Sequence, residues 1–236
     1  AHPLRIEGRV NFHDPLWNNL WLEQNGEGRY LPLLPRNAPS LRNGQLVRIE
    51  GTLIPAEGLS ADRVRVTVLR DFVPSTPVPT AGRINEVRAF DRRVVVTEGY
   101  VDEQLLVDSQ HLRLMLLLED RRVICWVPPD PDQVLPDWLG RQVRVTAVYS
   151  GRIDPTGTEN TVELWVARQS DVEEIGRIET DPRFELPLTA VRALVDRPVG
   201  TTVRVRGRMR QRDIGTSFVL SDNTGAVLVH GLQRER

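Results

Sequence analysis

Lysine is missing altogether: all 31 basic side chains of this 236-residue chain are arginines. Cysteine occurs once, at Cys125, which excludes an intrachain disulfide; in an apolar stretch it reads as a buried small hydrophobe. Aromatic residues make up 6%, and apolar runs such as Leu114 to Leu118 have the length of a strand, far short of a membrane span. An excess of either charge is lacking too. Thirty-one arginines against 32 carboxylates give a net charge of −1, so there is no bulk basic field to collect nucleic acid. The use of arginine alone fits GC-rich coding, and arginines alternating along strands read as a solvated face.

The motifs of catalysis are lacking as well. His2, His13, His111 and His230 have no metal-ligand spacing among themselves or with Cys125, so no metal site is expected. Neither a G-x-S-x-G elbow, a phosphate loop nor a dinucleotide fingerprint appears, and no cofactor is implied. Asp222-Asn223-Thr224-Gly225 lacks the alternating acidic positions and distal glutamate of a calcium loop and reads as a hairpin turn. Adjacent pairs such as Glu119-Asp120 and Glu173-Glu174 read as surface charge.

What is present is a repeat. One short phrase returns at Leu4–Gly8, Val47–Gly51, Val95–Gly99, Val143–Ala147 and Val203–Gly207, with gaps of 43, 48, 48 and 60 residues. Apolar first and third positions alternate with mostly polar second and fourth ones, the pattern of a strand with one buried face. The small fifth residue marks a bend where a side chain would crowd the neighbouring strand. After the first, third and fifth phrases comes a hairpin: Leu20–Leu22 returning through Tyr30 and Leu31, Leu114–Leu118 returning through Val123–Val127, and Phe218–Leu220 returning through Val227–Val229. After the second and fourth comes one further strand, Arg63–Leu69 or Thr161–Arg168. Each module is thus strand, hairpin, connector, strand, strand, which is the OB plan.

The fold expected is all-β: tandem five-stranded OB-like barrels with short connector helices, at residues 1–73 and 83–177, and a linker helix with the first half of a third barrel at 188–236. In the second module Asp130 as cap, Pro131 at the first helical position and the stripe Val134, Leu135, Trp138, Leu139 predict a connector helix ending at Gly140. The first module's connector, Leu34–Asn43, holds Pro35 and Pro39 and is expected to be irregular. Proline-bearing linkers are read at Val73–Thr80 and Asp181–Leu188, followed by helical turns at Gly82–Ala89 and Thr189–Val195, the latter capped by Thr189. No sixth phrase follows Val203, so the third barrel is expected to lack two strands and the chain to be part of a longer protein.

OB barrels hold ligands on strands two and three and the adjoining loops. In the first module those parts carry Asp14, Trp17, Asn18, Asn19 and Trp21, with the Pro55–Asp62 loop opposite. Trp17, Asn18, Asn19 and Trp21 are the candidate binding residues: two indoles beside amides can stack on a sugar, a base or a peptide side chain. The packing alternative turns Trp21 into the core and makes Trp17 a plug for the barrel end or a domain contact. Trp126, Trp165 and Trp138 read as core or interdomain packing.

The phrases V-R-V-R-G-R-M at Val203–Met209, F-V-L-S-D-N-T-G at Phe218–Gly225, L-R-I-E-G-R-V-N-F-H-D-P at Leu4–Pro15 and G-x-x-V-R-I-E-G at Gly44–Gly51 resemble the tandem OB-like extracytoplasmic regions of bacterial membrane-bound sensor histidine kinases and related signalling receptors. The resemblance implies a non-catalytic periplasmic sensory module of a two-component system, part of an inner-membrane protein and attached to the membrane only through segments outside this sequence. It implies an unidentified small molecule or periplasmic protein as partner, leaves homodimerisation open, and puts a kinase or other output domain beyond this stretch. The alternative is a tandem-OB protein that binds single-stranded nucleic acid. That reading calls for basic residues tracking a groove with stacking aromatics in every module, so at this charge no nucleic acid is expected.

Overall fold

The computed structural model describes residues 2–31, 40–54, 58–59, 64–118, 121–153, 161–213 and 217–231. Most of the Pro55–Asp62 loop, residues 34–39 of the first connector and the Glu119-Asp120 turn lie outside them. Contacts divide the chain into two compact units, Ala1–Ile175 and Gly176–Arg236, called here the N-terminal and C-terminal units. The architecture is all-β and OB-like.

The first sheet holds β1 (His2–Asp14), β2 (Asn19–Gln24), β3 (Glu27–Tyr30), β4 (Leu46–Ile54), β5 (Gly58–Leu59) and β6 (Arg65–Arg70), in the order β3-β2-β1-β4-β5 with β6 also on β4. Val10, Leu20, Leu22, Leu41, Val47 and Ile49 form its core. The second sheet holds β7 (Val78–Pro79), β8 (Val94–Asp108), β9 (His111–Leu118), β10 (Arg121–Val127), β11 (Arg141–Arg152), β12 (Thr161–Trp165) and β13 (Val172–Arg177), with the short helix α1 (Val87–Phe90) before β8. Here the ring closes: β8 pairs with β9, β9 with β10, β10 in parallel with β12, β12 with β11, and β11 back with β8. Closure hides both strand edges. The apolar alternation of β9 and β10 fills the interior with Leu112, Leu114, Leu116, Val123, Cys125 and Val127. Cys125 is fully buried and free, and burial pushes its thiol well above the usual range, as suits a packing residue.

The repeated phrases prove to be each other's partners. Leu4–Gly8 pairs antiparallel with Val47–Gly51, setting Gly8 opposite Val47 and Ile6 opposite Ile49. Val95–Gly99 pairs with Val143–Ala147 in the same register, Gly99 opposite Val143 and Thr97 opposite Val145. The expected bend is explained by close approach: a Cβ would stand 3.0 Å from the Glu23 carbonyl oxygen at Gly8, 2.9 Å from that of Leu117 at Gly99, and closer still to that of Ser221 at Gly207. The three glycines therefore occupy equivalent places against the second strand of their modules.

The fifth phrase departs from the others. Val203–Gly207 is not a strand; among the described residues its one ladder contact is a parallel bridge from Arg204 to Leu188. The first and third phrases are held extended by the second and fourth, and the fifth has no such partner here. Regular pairing begins only at β14 (Arg208–Asp213), which joins β15 (Ser217–Ser221) and β16 (Ala226–His230) in a three-stranded sheet, with a bulge between Gln211 and Asp213.

Two predicted helical details are corrected. Residues 130–140 are turns and extended chain rather than a helix. Asp130 organises a turn, accepting from Asp132 N at 3.0 Å and Gln133 Nε2 at 2.7 Å, and no helix follows because Pro136 lacks an N–H and would clash with the carbonyl four residues back. Gln104 replaces the helical bonds: its amide donates to the Pro136 carbonyl at 2.9 Å and accepts from Trp138 N at 2.9 Å. Trp138 is consequently buried while Val134 and Leu139 are exposed. Thr189, likewise, is not a cap. The 3₁₀ turn Val191–Asp196 takes its caps from the β15–β16 turn, Val191 N donating to Asp222 Oδ2 at 2.9 Å and Arg192 N to Thr224 Oγ1 at 3.1 Å. The Val73–Thr80 linker is also partly a strand, since β7 pairs in parallel with β8.

Asp222 gathers four donors: Thr224 Oγ1 and N, Gly225 N and Val191 N. The Thr224 hydroxyl first, then the Val191 amide, hold its carboxyl down at about 2. A depressed carboxylate stabilises the fold above its unfolded value of 3.8, and that contribution is lost as pH falls toward about 2. The Val191 amide resonance should therefore shift across that window in wild type, and Asp222→Ala should show the acid-form position already at neutral pH. A Val191 signal blind to both changes would refute the link between turn and cap.

Candidate functional site

In the N-terminal unit the first strand ends on Asp14 before a proline, and the carboxylate organises the turn. Asp14 Oδ1 accepts from Leu16 N at 2.8 Å and Trp17 N at 3.1 Å, the local bonding that suits aspartate to turns. Its Oδ2 is left for His111 Nε2 at 2.7 Å, 97 positions away at the start of β9. The other ring nitrogen of His111 lies 2.8 Å from the Asp108 carboxylate. Gln110 N, donating to Asp108 Oδ1, does most to hold that carboxyl below its ordinary range, with His111 adding to it.

Trp17 lies flat on the His111 imidazole, ring centroids 3.6 Å apart and planes 9° from parallel. Its edges meet Trp126 and Trp165 at 4.8 and 5.9 Å. Trp21, nearly buried, packs on Phe12 at 5.4 Å, Tyr30 at 5.1 Å and Trp165 at 5.3 Å. With Val94 and Val148 these rings make one apolar seam joining the first sheet to the second. Asn18 turns the chain with φ +57°, and Asn19 accepts the Tyr30 hydroxyl at 3.0 Å. The four candidate residues are thus parted: Trp17 and Trp21 enter the seam, Asn18 makes a turn and Asn19 secures β3. Beside the seam lies a 430 Å³ cleft whose walls include Phe12, Asp14, His111, Trp126 and Trp165.

Charge is divided between the units. Residues 1–175 carry 20 arginines and 25 carboxylates, a net −5, while residues 176–236 carry eleven and seven, a net +4. In the C-terminal unit arginine takes five successive alternate positions, Arg204, Arg206, Arg208, Arg210 and Arg212, all exposed. Arg208 and Arg210 share one face of β14, opposite Ser221 and Val219 of β15. The other face presents Met209 opposite Leu220, and Phe218 opposite Val229. In the N-terminal unit several strand arginines are paired with carboxylates, as Arg48 with Glu7 at 2.7 Å and Arg144 with Glu98 at 2.9 Å. Among the described residues no carboxylate pairs with Arg206, Arg208, Arg210 or Arg212. Sequence reasoning passed over this ladder, although its alternate spacing was legible, because charge was summed over the whole chain and strand arginines were assigned to solvation.

No family model and no curated protein matches the chain. Among solved structures it is similar to a murine DNA-binding protein bound with double-stranded DNA, at 10% identity and a TM-score of 0.32 over 77% of this chain and all of that one. It is also similar to the Ifi202 HINa domain in complex with 20-bp double-stranded DNA, at 6% identity and a TM-score of 0.30 over 75% of this chain and 97% of that one. Overlaps this low carry no argument about ligand. The resemblance to sensor histidine kinase ectodomains is nonetheless corrected. Both neighbours are complexes with double-stranded DNA. The basic stripe whose absence argued against nucleic acid stands in the C-terminal unit. The sensory function, the periplasmic location and inner-membrane attachment, the periplasmic-protein or small-molecule partner, and the expectation of no nucleic acid fall together. No described helix is long and apolar enough to cross a membrane.

Proposed function

We propose that the chain is a non-catalytic nucleic-acid-binding protein of tandem OB-like modules, near residues 1–73, 83–177 and 188–236, that grips an extended single strand through its C-terminal unit. The observation carrying this reading is the exposed ladder Arg204, Arg206, Arg208, Arg210 and Arg212 in a unit of net charge +4. Along β14 alternate residues recur about every 6.6 Å, a spacing suited to successive phosphates of an extended strand, and Arg204 and Arg206 continue the alternation in the chain just before it. Guanidinium groups without carboxylate partners are free to bind those phosphates bidentately and release their counterions. The acidic N-terminal unit supports a division of labour, repelling the strand from its own surface and leaving the ladder to hold it. Its Asp14, His111 and Asp108 cluster is closed by hydrogen bonds among its own members, with Trp17 stacked on the imidazole, which favours a structural role.

Fluorescence anisotropy with a labelled oligonucleotide tests the reading. Single-strand binding should weaken with salt, with a slope of log K on log[salt] of about −3, near −0.7 for each of four or five phosphates. Unlabelled duplex should compete poorly. Absent or salt-independent binding would remove the proposal, and stronger competition by duplex would remove its single-strand part.

A further inference from the structure

The C-terminal unit contains a hollow of 510 Å³ lined by Arg206, Gly207, Arg208, Ser221, Asp222 and Asn223. It forms because Gly207 has no side chain: the backbone there closes on the Ser221 carbonyl and carries the two flanking arginines onto the β15–β16 turn. Ser221 Oγ donates to the Arg208 carbonyl at 3.4 Å, tying that turn to the ladder. Asp222 shares the hollow, but its carboxylate is engaged: Oδ1 accepts from Thr224 N at 2.7 Å, Thr224 Oγ1 at 2.6 Å and Gly225 N at 3.0 Å, and Oδ2 from Val191 N at 2.9 Å. The aspartate thus shapes the turn, whereas neither arginine has a carboxylate partner among the described residues. Two guanidinium groups without carboxylate partners, beside the exposed amide of Asn223, make a set of donors suited to one tetrahedral oxyanion.

We infer that this hollow is a phosphate pocket, the point at which one backbone phosphate is fixed while Arg210 and Arg212 only follow the strand electrostatically. The inference rests on the nucleic-acid reading for its natural ligand but not for its chemistry. A fixed phosphate sets register along the strand without selecting sequence.

Three measurements on the full chain test it. The double variant Arg206→Gln/Arg208→Gln should lower oligonucleotide affinity at least about 30-fold and flatten the salt slope by about 0.7, the one phosphate contact that the two arginines share. Arg192→Gln/Arg197→Gln removes the same charge from exposed positions of the same unit outside the hollow, and should cost less than about threefold, a screened long-range effect. Inorganic phosphate added to wild type should shift the amide resonances of Ser221 and Asn223, and should not do so in the Arg206/Arg208 variant. Equal losses from the two double variants would overturn the pocket and leave the nucleic-acid reading in place. Phosphate shifts at Ser221 and Asn223 without oligonucleotide binding would support the pocket and overturn that reading. No phosphate shift in wild type would overturn the pocket outright.

Discussion

Asp14→Ala should destabilise the N-terminal unit by about 3 to 5 kcal/mol, because one change removes the acceptor of three hydrogen bonds, one of them buried. Both side chains of the Asp14–His111 pair are 7% exposed, so water cannot take the place of the lost carboxylate. The same change leaves Leu16 N and Trp17 N without their acceptor and releases the turn that aims Trp17. Asp14→Asn keeps an oxygen for the turn and should lose less, separating the turn's share from that of His111. Urea unfolding followed by tryptophan fluorescence suits the test, because the seam supplies the signal. A cost below about 1 kcal/mol, typical of an exposed pair, would show that Asp14 does not brace the two sheets.

Trp17→Ala should cost about 2 to 4 kcal/mol, short of the full range for a buried aromatic because the ring is only partly covered. The change removes the stack on His111 and the edge contacts with Trp126 and Trp165. Combined with Asp14→Ala it should cost less than the sum, since both act on His111. The measurement is a thermal melt of each variant. An unchanged melt would mean that the indole does not pack in solution, and would return it to the role of an exposed stacking platform.

The repeat made the strands and their order within each module legible. An apolar-polar alternation ending in a small residue states which face is buried and where a neighbour comes close, and both are local properties of a pleated chain. Gly8, Gly99 and Gly207 could be placed for that reason. The connector of the second module was misread because Pro136 was weighed less than the stripe around it, and one missing N–H outweighs four apolar positions. The Thr189 cap was misread because a side chain 31 positions after Val191, Asp222, supplies the acceptor instead.

Of the candidate sites, the arginine ladder was written in the sequence, but its weight depends on what lies opposite. Strand arginines look alike from residue 5 to residue 212; those facing Glu7 or Glu98 are neutralised and those of β14 are not. Likewise Trp17 and Trp21 could be named as exceptional, while their occupation by His111, Phe12 and Trp165 comes from the second module.

Alone, then, the sequence determined the all-β OB-like plan, the buried face of each repeated strand and the glycines that let strands approach. The tertiary structure decided which phrase pairs with which charge, that Asp14 and His111 meet across 97 positions, and that acidic and basic surfaces fall in separate compact units. The physical reason is range. Backbone sterics and hydrophobic periodicity act over a few residues and can be read along the chain, whereas ion pairing and ring stacking depend on distances that only folding sets.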